Sequence, residues 1–345
     1  MYTGTQRRDA MYAGTHWSRI WRFGVIAALG LTLVAGAAGP ARAAAKVIRL
    51  GSVGFPGSLY DITANEFAKR ANEALKGKYE VKVFHSSQLG KDSAMLKGIK
   101  VGVLEMFMPS TFMSTIDDRY GVFEMPYLFK DRAQVKRVAE DSQIQKMLYD
   151  PMPAKGVRVL AMWENGFRVI TNNVRPIVTP EDLKGIKLRT PKGVWRVKMF
   201  KAYGANPTPM AYGEVFAALQ AGVIDGQENP FAQIWGGKFH EVQKYLSLTG
   251  HVYTPVFLVA GERWWKGVPA DVQQTLVKIA VEIGDFAREM GAKMDKDLKV
   301  KMKQSVKFNE ANKDAFVKAS KPIYEEFKKE VKGGKELLDR IQSLQ

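Results

Sequence analysis

VRVLAMWENGFRVITNN, residues 157–173, holds two strand-like runs with no linker between them. Val157–Asn165 reads as one strand and Phe167–Thr171 as the next, so the chain crosses between two lobes on strands. That geometry makes a hinge and not a tether. N-terminal to it, Val47–Val53 reads as a strand by alternation. The loop Gly54–Ser58 ends that strand, and a helix with Ile62, Phe67, Ala71 and Leu75 on one face follows. YEVKVFHSS (79–87) is a second strand, and Gln88-Leu89-Gly90-Lys91-Asp92 leads into a helix over 92–100. This β-α-β-α order points to a mostly parallel sheet covered on both faces. EMFMPS (105–110) reads as a third strand, and 131–149, bounded by Pro151, as a single helix.

C-terminal to the crossing, RPIVTPEDLKG (175–185) reads as a short capped helix. Thr179 precedes Pro180, Asp182 takes the capping-box position and Gly185 stops the turn. Ile186–Arg189 is then a strand, a helix follows residue 191, Asn206–Met210 is a strand and Gly213–Ala221 a helix. DGQENP (225–230) closes the block. After the strand Tyr253–Val259 the chain turns helical. Pro269 opens a long helix with Val272, Leu276, Ile279, Ile283 and Ala287 in register.

The chain has 345 residues, room for two domains. It has no cysteine, which excludes disulfides, thiol nucleophiles and thiolate metal sites. Arg7, Arg8, Arg19 and Arg22 precede an apolar run, Phe23–Ala38, that is short for a membrane span. Ala41-Arg42-Ala43 and Ala43-Ala44-Ala45 then supply small-x-small cleavage sites. Residues 1–43 therefore read as a signal peptide, cut after Ala43 or Ala45, and the product is expected to be exported. The charge is +17, from 52 basic against 35 acidic residues. In 291–335, 13 lysines alternate with 7 acids in helical segments without aromatic interleaving, a solvated face that does not point to nucleic acid.

Arg168 sits in a strand otherwise made of Phe, Val and Ile, where an unpaired charge is costly. Arg189 ends another strand, the place where open α/β lobes collect ligands, and an arginine there presents two parallel donors to a carboxylate. No acid pairs evidently with either one in the sequence. Asn229, in the DGQENP turn, can donate to a ligand oxygen and accept from a hydroxyl. Its neighbour Glu228 has no companion acids, so no metal site is assigned and no cofactor is expected. Tyr60, Trp195 and Phe231 lie near these loops in sequence, and aromatic walls suit a cleft. His85, His240 and His251 form no HExxH, and GSVGFPGS (51–58) is not a dinucleotide fingerprint. No arrangement selects an enzyme.

SSQLGKD (86–92), ENGFRVITNNVRPIVTPEDLKGIKLRTPKG (164–193), GANPTPM (204–210), EVFAALQAGVIDGQENP (214–230) and HEVQKYLSLTGH (240–251) resemble the DctP-type solute-binding proteins of tripartite ATP-independent periplasmic (TRAP) transporters. The resemblance spans essentially the whole chain after the leader. It implies an α/β, two-lobed periplasmic binding protein of the Venus-flytrap kind, with strand hinges and a long helix spanning the lobes. Lobe I is then 46–165, with roughly 254–290 returning to it. Lobe II is 166–253, and helices over roughly 291–345 pack across both. It further implies Arg189 as carboxylate clamp, Arg168 as supporting arginine and Asn229 as third anchor, facing loops at Gly54–Tyr60, QLGKD and Pro109–Thr111. The implied ligand is an organic acid, first a C4-dicarboxylate, with aromatic, 2-oxo and sugar acids as alternatives. The implied partners are the small and large permease subunits of the transporter, met by a monomer or a helix-mediated dimer. A ligand-sensing partner of a membrane sensor and a periplasmic enzyme are the competing classes.

Overall fold

The computed structural model describes residues 45–345. The expected leader, 1–43, lies outside the described residues. The strands are β1 (Lys46–Gly51), β2 (Tyr79–Phe84), β3 (Met106–Phe107), β4 (Val157–Phe167), β5 (Val169–Asn172) and β6 (Lys187–Thr190). They continue with β7 (Asn206–Pro209), β8 (Gly226–Asn229), β9 (Tyr245–Leu248), β10 (Tyr253–Gly261) and β11 (Lys307–Glu310). The helices are α1 (Leu59–Ala74), α2 (Asp92–Val101), α3 (Arg132–Glu140), α4 (Ser142–Tyr149), α5 (Val194–Ala202) and α6 (Val215–Gln220). Then come α7 (Phe231–Gly236), α8 (Glu262–Trp265), α9 (Ala270–Met302), α10 (Lys313–Glu330) and α11 (Gly334–Gln342).

Two sheets result, in the orders β2-β1-β3-β10-β4 and β11-β9-β5-β8-β6-β7. Both are mostly parallel, and each contains one strand that runs against its neighbours. In the first sheet that strand is β10, antiparallel to β3 and β4; in the second it is β5, antiparallel to β8 and β9. These are the two strands that arrive from the other sheet. β5 continues the direction of β4 after a single residue, Arg168, and β10 follows β9 after Thr249–Val252. A strand that keeps its heading while changing sheets must enter as the odd one out.

α9 is 33 residues long, about 50 Å of helix. Its first half buries Val272, Leu276, Ile279, Ala280, Ile283 and Ala287 with Trp163 and Phe67, on the face of the first sheet. Its last turns bury Leu298 and Met302 with Leu246 and Val169 of the second. One helix therefore contributes to both cores. Trp163 fixes its register against β4 by donating Nε1–H to the Ala280 carbonyl at 2.7 Å. No helix among the described residues is long and apolar enough to cross a membrane.

Three sequence expectations are corrected. The helix expected over 131–149 is two, because the Asp141 backbone is extended and its side chain caps α4 through the Ile144 N–H at 2.8 Å. The expected helix over 175–185 is only a 3-10 turn, Pro180–Leu183, although Asp182 does accept from the Thr179 N–H at 2.8 Å. The strand expected over 105–110 shrinks to Met106–Phe107, since Ser110 already turns away to bond the Pro255 carbonyl.

Gly291 marks the tightest contact between α9 and β4: a Cβ there would lie 2.3 Å from Glu164 Oε1. Glu164 is fully buried and held by Arg132 Nε at 2.7 Å, so it has no room to yield. Alanine would gain about 1 kcal/mol of helix propensity but overpack a site whose neighbours are fixed, at about 1–3 kcal/mol. We expect Gly291→Ala to lower unfolding stability by up to about 2 kcal/mol in urea titrations, against the propensity trend.

Candidate functional site

Between the two sheets lies a cavity, open to solvent at its mouth, that spans about 690 Å³ with the open part included. Arg168 and Asn229 reach it from the crossing strand and β8, Arg189 from the end of β6, and Tyr60 from the first turn of α1. The loops expected to face them also contribute: Lys91 and Asp92 at the start of α2, and Ser110 and Thr111 after β3. Four of the six residues singled out from the sequence thus meet in one place.

Trp195 and Phe231 do not line the cavity. Trp195 is buried against Phe327 of α10, with ring centroids 5.0 Å apart, and a Cβ at Gly121 would sit 2.3 Å from its ring. Phe231 stacks on Phe308 of β11 at 6.3 Å. The helix geometry gives the reason for the second correction. At 100° per residue, Gln233 lies opposite Phe231 on α7, and Gln233 is the one that faces the cavity.

The polar groups differ in how much of their bonding capacity is spent. Arg168, 2% exposed, donates Nε–H to Glu228 Oε2 at 2.5 Å. Its Nη2 serves the Glu228 carbonyl, Glu228 Oε1 and Asn229 Oδ1, and Nη1 reaches Thr254 Oγ1 at 3.3 Å. One N–H is left over. The acid absent from the sequence neighbourhood is therefore Glu228, which stands opposite Ile170 on the paired strand β8 and reaches back to Arg168 through its side chain. Asn229 is similarly occupied: Oδ1 accepts from Arg168, and Nδ2 donates to Gln227 Oε1 at 2.6 Å, leaving one N–H for a ligand.

Arg189 is different. It is 3% exposed, and its Nε and Nη2 both donate to a single acceptor, the Met210 carbonyl, at 3.1 and 2.7 Å. That uses two of the five N–H hydrogens of a guanidinium and leaves three. Among the described residues no carboxylate stands within ion-pair distance of it. Burial pulls its pKa down to about 10, partly countered by the field of Glu228, so the group stays charged at neutral pH. A buried cation with no carboxylate in direct contact is costly, and its free N–H groups face the cavity.

Glu228 carries the rest of the local charge. Arg196, fully buried on α5, donates Nη1–H to Glu228 Oε2 at 2.7 Å, and His251 Nε2 approaches the same oxygen at 3.1 Å. Burial acts to raise the Glu228 carboxyl, but Arg168, Arg196 and the His251 bond outweigh it and hold it far below the ordinary range. Thr249 Oγ1 lies 2.8 Å from His251 Nδ1. Burial lowers the His251 pKa to about 4, so the neutral ring accepts from Thr249 and donates to Glu228. Asp92, at the cavity wall, has its carboxyl pushed up to about 6 by burial, against the pull of Arg189 and Lys192.

Two further amides escaped sequence reasoning. Asn165 Oδ1, and both Oε1 and Nε2 of Gln233, are buried without any partner, and both residues line the cavity. Arg196 was also missed. The available signal was a polar residue interrupting an apolar run, as in FAQIW. Among the described residues no group of three or more His, Asp or Glu side chains is placed to hold a metal ion.

Residues 50–330 match the bacterial extracellular solute-binding proteins, family 7. The chain belongs to this family. The 2,3-diketo-L-gulonate-binding periplasmic protein of Escherichia coli is 35% identical to this family 7 chain over 288 residues, 82% of the chain and 88% of the relative. The sugar acid binding protein of Advenella mimigardefordensis, solved with galactonate, superposes with a TM-score of 0.83 at 32% identity, covering 88% of this chain and 99% of that one. A TRAP periplasmic solute binding protein of Sulfurospirillum deleyianum with bound succinate gives 0.82 at 32%, covering 88% and 100%. The receptor fold expected from the sequence is the fold of these proteins.

The buried His251 makes the stability of this family 7 chain pH-dependent. Its folded pKa, about 4, lies below the ordinary 6.5. Its contribution is therefore complete above pH 6.5 and is lost as the pH falls towards 4, because the unfolded chain takes up the proton first. Relative to His251→Gln, the wild type should lose about 3 kcal/mol across that window in chemical denaturation series.

Proposed function

We propose that this chain is a periplasmic receptor that captures an organic carboxylate on Arg189 and delivers it to the membrane subunits of a TRAP transporter. The observation that carries the reading is the Arg189 guanidinium, buried and charged with only one carbonyl for company. Arg168 and Asn229 each add one spare N–H beside it. The proposed role asks these groups to bind and orient an anion.

We take the two sheets as the cores of two lobes, 46–165 with roughly 254–290 and 166–253 with β11 added at its edge, which close on the ligand about the crossings at Arg168 and Thr249–Val252. Contacts from one side to the other support a closed form. Lys91 pairs with Glu214 at the cavity rim, and Glu124 accepts from the Arg196 N–H at 2.8 Å, at the start of α5. Ligand contacts made on both sides at once favour closure.

Asp92 bears on ligand class. A carboxylate across the cavity from Arg189 repels a second ligand carboxylate and accepts from a hydroxyl. We therefore place a hydroxylated monocarboxylate, of the sugar-acid kind, ahead of the C4-dicarboxylate. The relatives that bind 2,3-diketo-L-gulonate and galactonate support this order. Lys192 at the rim, and the succinate-bound relative, favour the dicarboxylate as second reading.

Calorimetry of ligand-free protein with galactonate, L-gulonate, D-erythronate and succinate tests the reading. Arg189→Ala should lose about 2–5 kcal/mol of binding to whichever acid the wild type takes; retention of wild-type affinity would move the anion site elsewhere. Asp92→Asn should bind succinate about tenfold more tightly, a change of about 1.4 kcal/mol, and the sugar acids no better. Uptake by the membrane subunits, reconstituted with and without the receptor, tests delivery.

A further inference from the structure

We infer that Gln233 is a specificity-determining residue that reads a ligand hydroxyl, an inference that rests on the proposed capture of a carboxylate at Arg189. The backbone of Gln233 is fully engaged. Its N–H donates to the Pro230 carbonyl at 3.0 Å, and its carbonyl accepts from Tyr212 Oη–H at 2.6 Å and from the Gly237 N–H at 3.0 Å. α7 itself is wedged: a Cβ at Gly236 would lie 3.0 Å from Ser58 Cβ, across the cavity edge. The side-chain amide is what remains, 3% exposed, lining the cavity, with neither Oε1 nor Nε2 bonded to protein.

An amide left so is costly unless a ligand supplies both a donor and an acceptor. A hydroxyl supplies both from one atom. A carboxylate can satisfy only Nε2, and an alkyl chain satisfies neither. Asn165 points to the same ligand from the other side. Its Nδ2 is spent on Ser110 Oγ and Thr254 Oγ1 at 3.3 and 3.2 Å, and its open Oδ1 can only accept. Asp92 is a third acceptor on the wall. The open positions thus outnumber what one hydroxyl can fill, and the ligand class is an acid with several hydroxyls along its chain.

The test compares two six-carbon acids, galactonate and hexanoate, by calorimetry on wild type, Gln233→Met and Arg189→Ala. Methionine keeps the length and volume of glutamine and removes its polar ends. Gln233→Met should weaken galactonate about 10- to 100-fold, leave hexanoate within about threefold and leave the melting temperature of the ligand-free protein unchanged or raised. If the methionine variant does not fold, Gln233→Leu takes its place. Unchanged galactonate affinity, or equal loss on both acids, would overturn the assignment, as would a wild type that binds none of galactonate, L-gulonate and D-erythronate. Galactonate binding that survives Arg189→Ala but falls in Gln233→Met would sink the clamp and keep the hydroxyl reader, so the two readings fail separately.

Discussion

One buried carboxylate, Glu228, sets the terms on which the second sheet is built. It stands on β8 opposite the crossing strand and takes Arg168, Arg196 and His251 at once. Three guanidinium groups gather around this region, and Glu228 answers two of them directly. The third, Arg189, feels it only as a field. The Arg189 charge is therefore not cancelled by a direct ion pair, and it faces the cavity. Were Arg189 also ion-paired by a protein acid, less of its charge would face the cavity.

The same cluster divides labour among residues that look alike in sequence. Arg168 and Arg189 both stand in short apolar strands, yet one is nearly exhausted by its neighbours and the other is nearly free. Asn229 is mostly spent on Arg168 and Gln227. What separates a scaffold residue from a recognition residue here is the number of hydrogen bonds it has left, not its type or its burial.

That distinction explains what could be read from the chain alone. The crossing was legible because two strand patterns abut across one residue, although the sequence put the break at Gly166 and the structure puts it at Arg168, and Arg189 because a charge closes an apolar strand. The break of the helix at Asp141 was not, since Asp141 is also bonded by Arg340, a residue from the far end of the chain. Aromatic rings misled: Trp195 and Phe231 are near the cavity in sequence, but an aromatic side chain carries no sign of which way it faces. Asn165 and Gln233 were invisible as site residues because being unpartnered is a property of the tertiary fold. A sequence shows an amide; only the packing shows that nothing has claimed it.

Arg168 also joins the two crossings to each other. Its backbone N–H donates to the Val252 carbonyl at 2.9 Å, tying the strand that leaves the first sheet to the one that returns to it. This rung, next to the Phe167–Tyr253 pair of the β4–β10 ladder, lies at the residue whose side chain lines the cavity. The amide proton of Arg168 is consequently a built-in reporter. Its exchange with solvent requires the two crossings to part, and a ligand that holds the guanidinium holds the rung as well. In a hydrogen-exchange experiment one backbone position would register both the flexing of the molecule and the filling of its site.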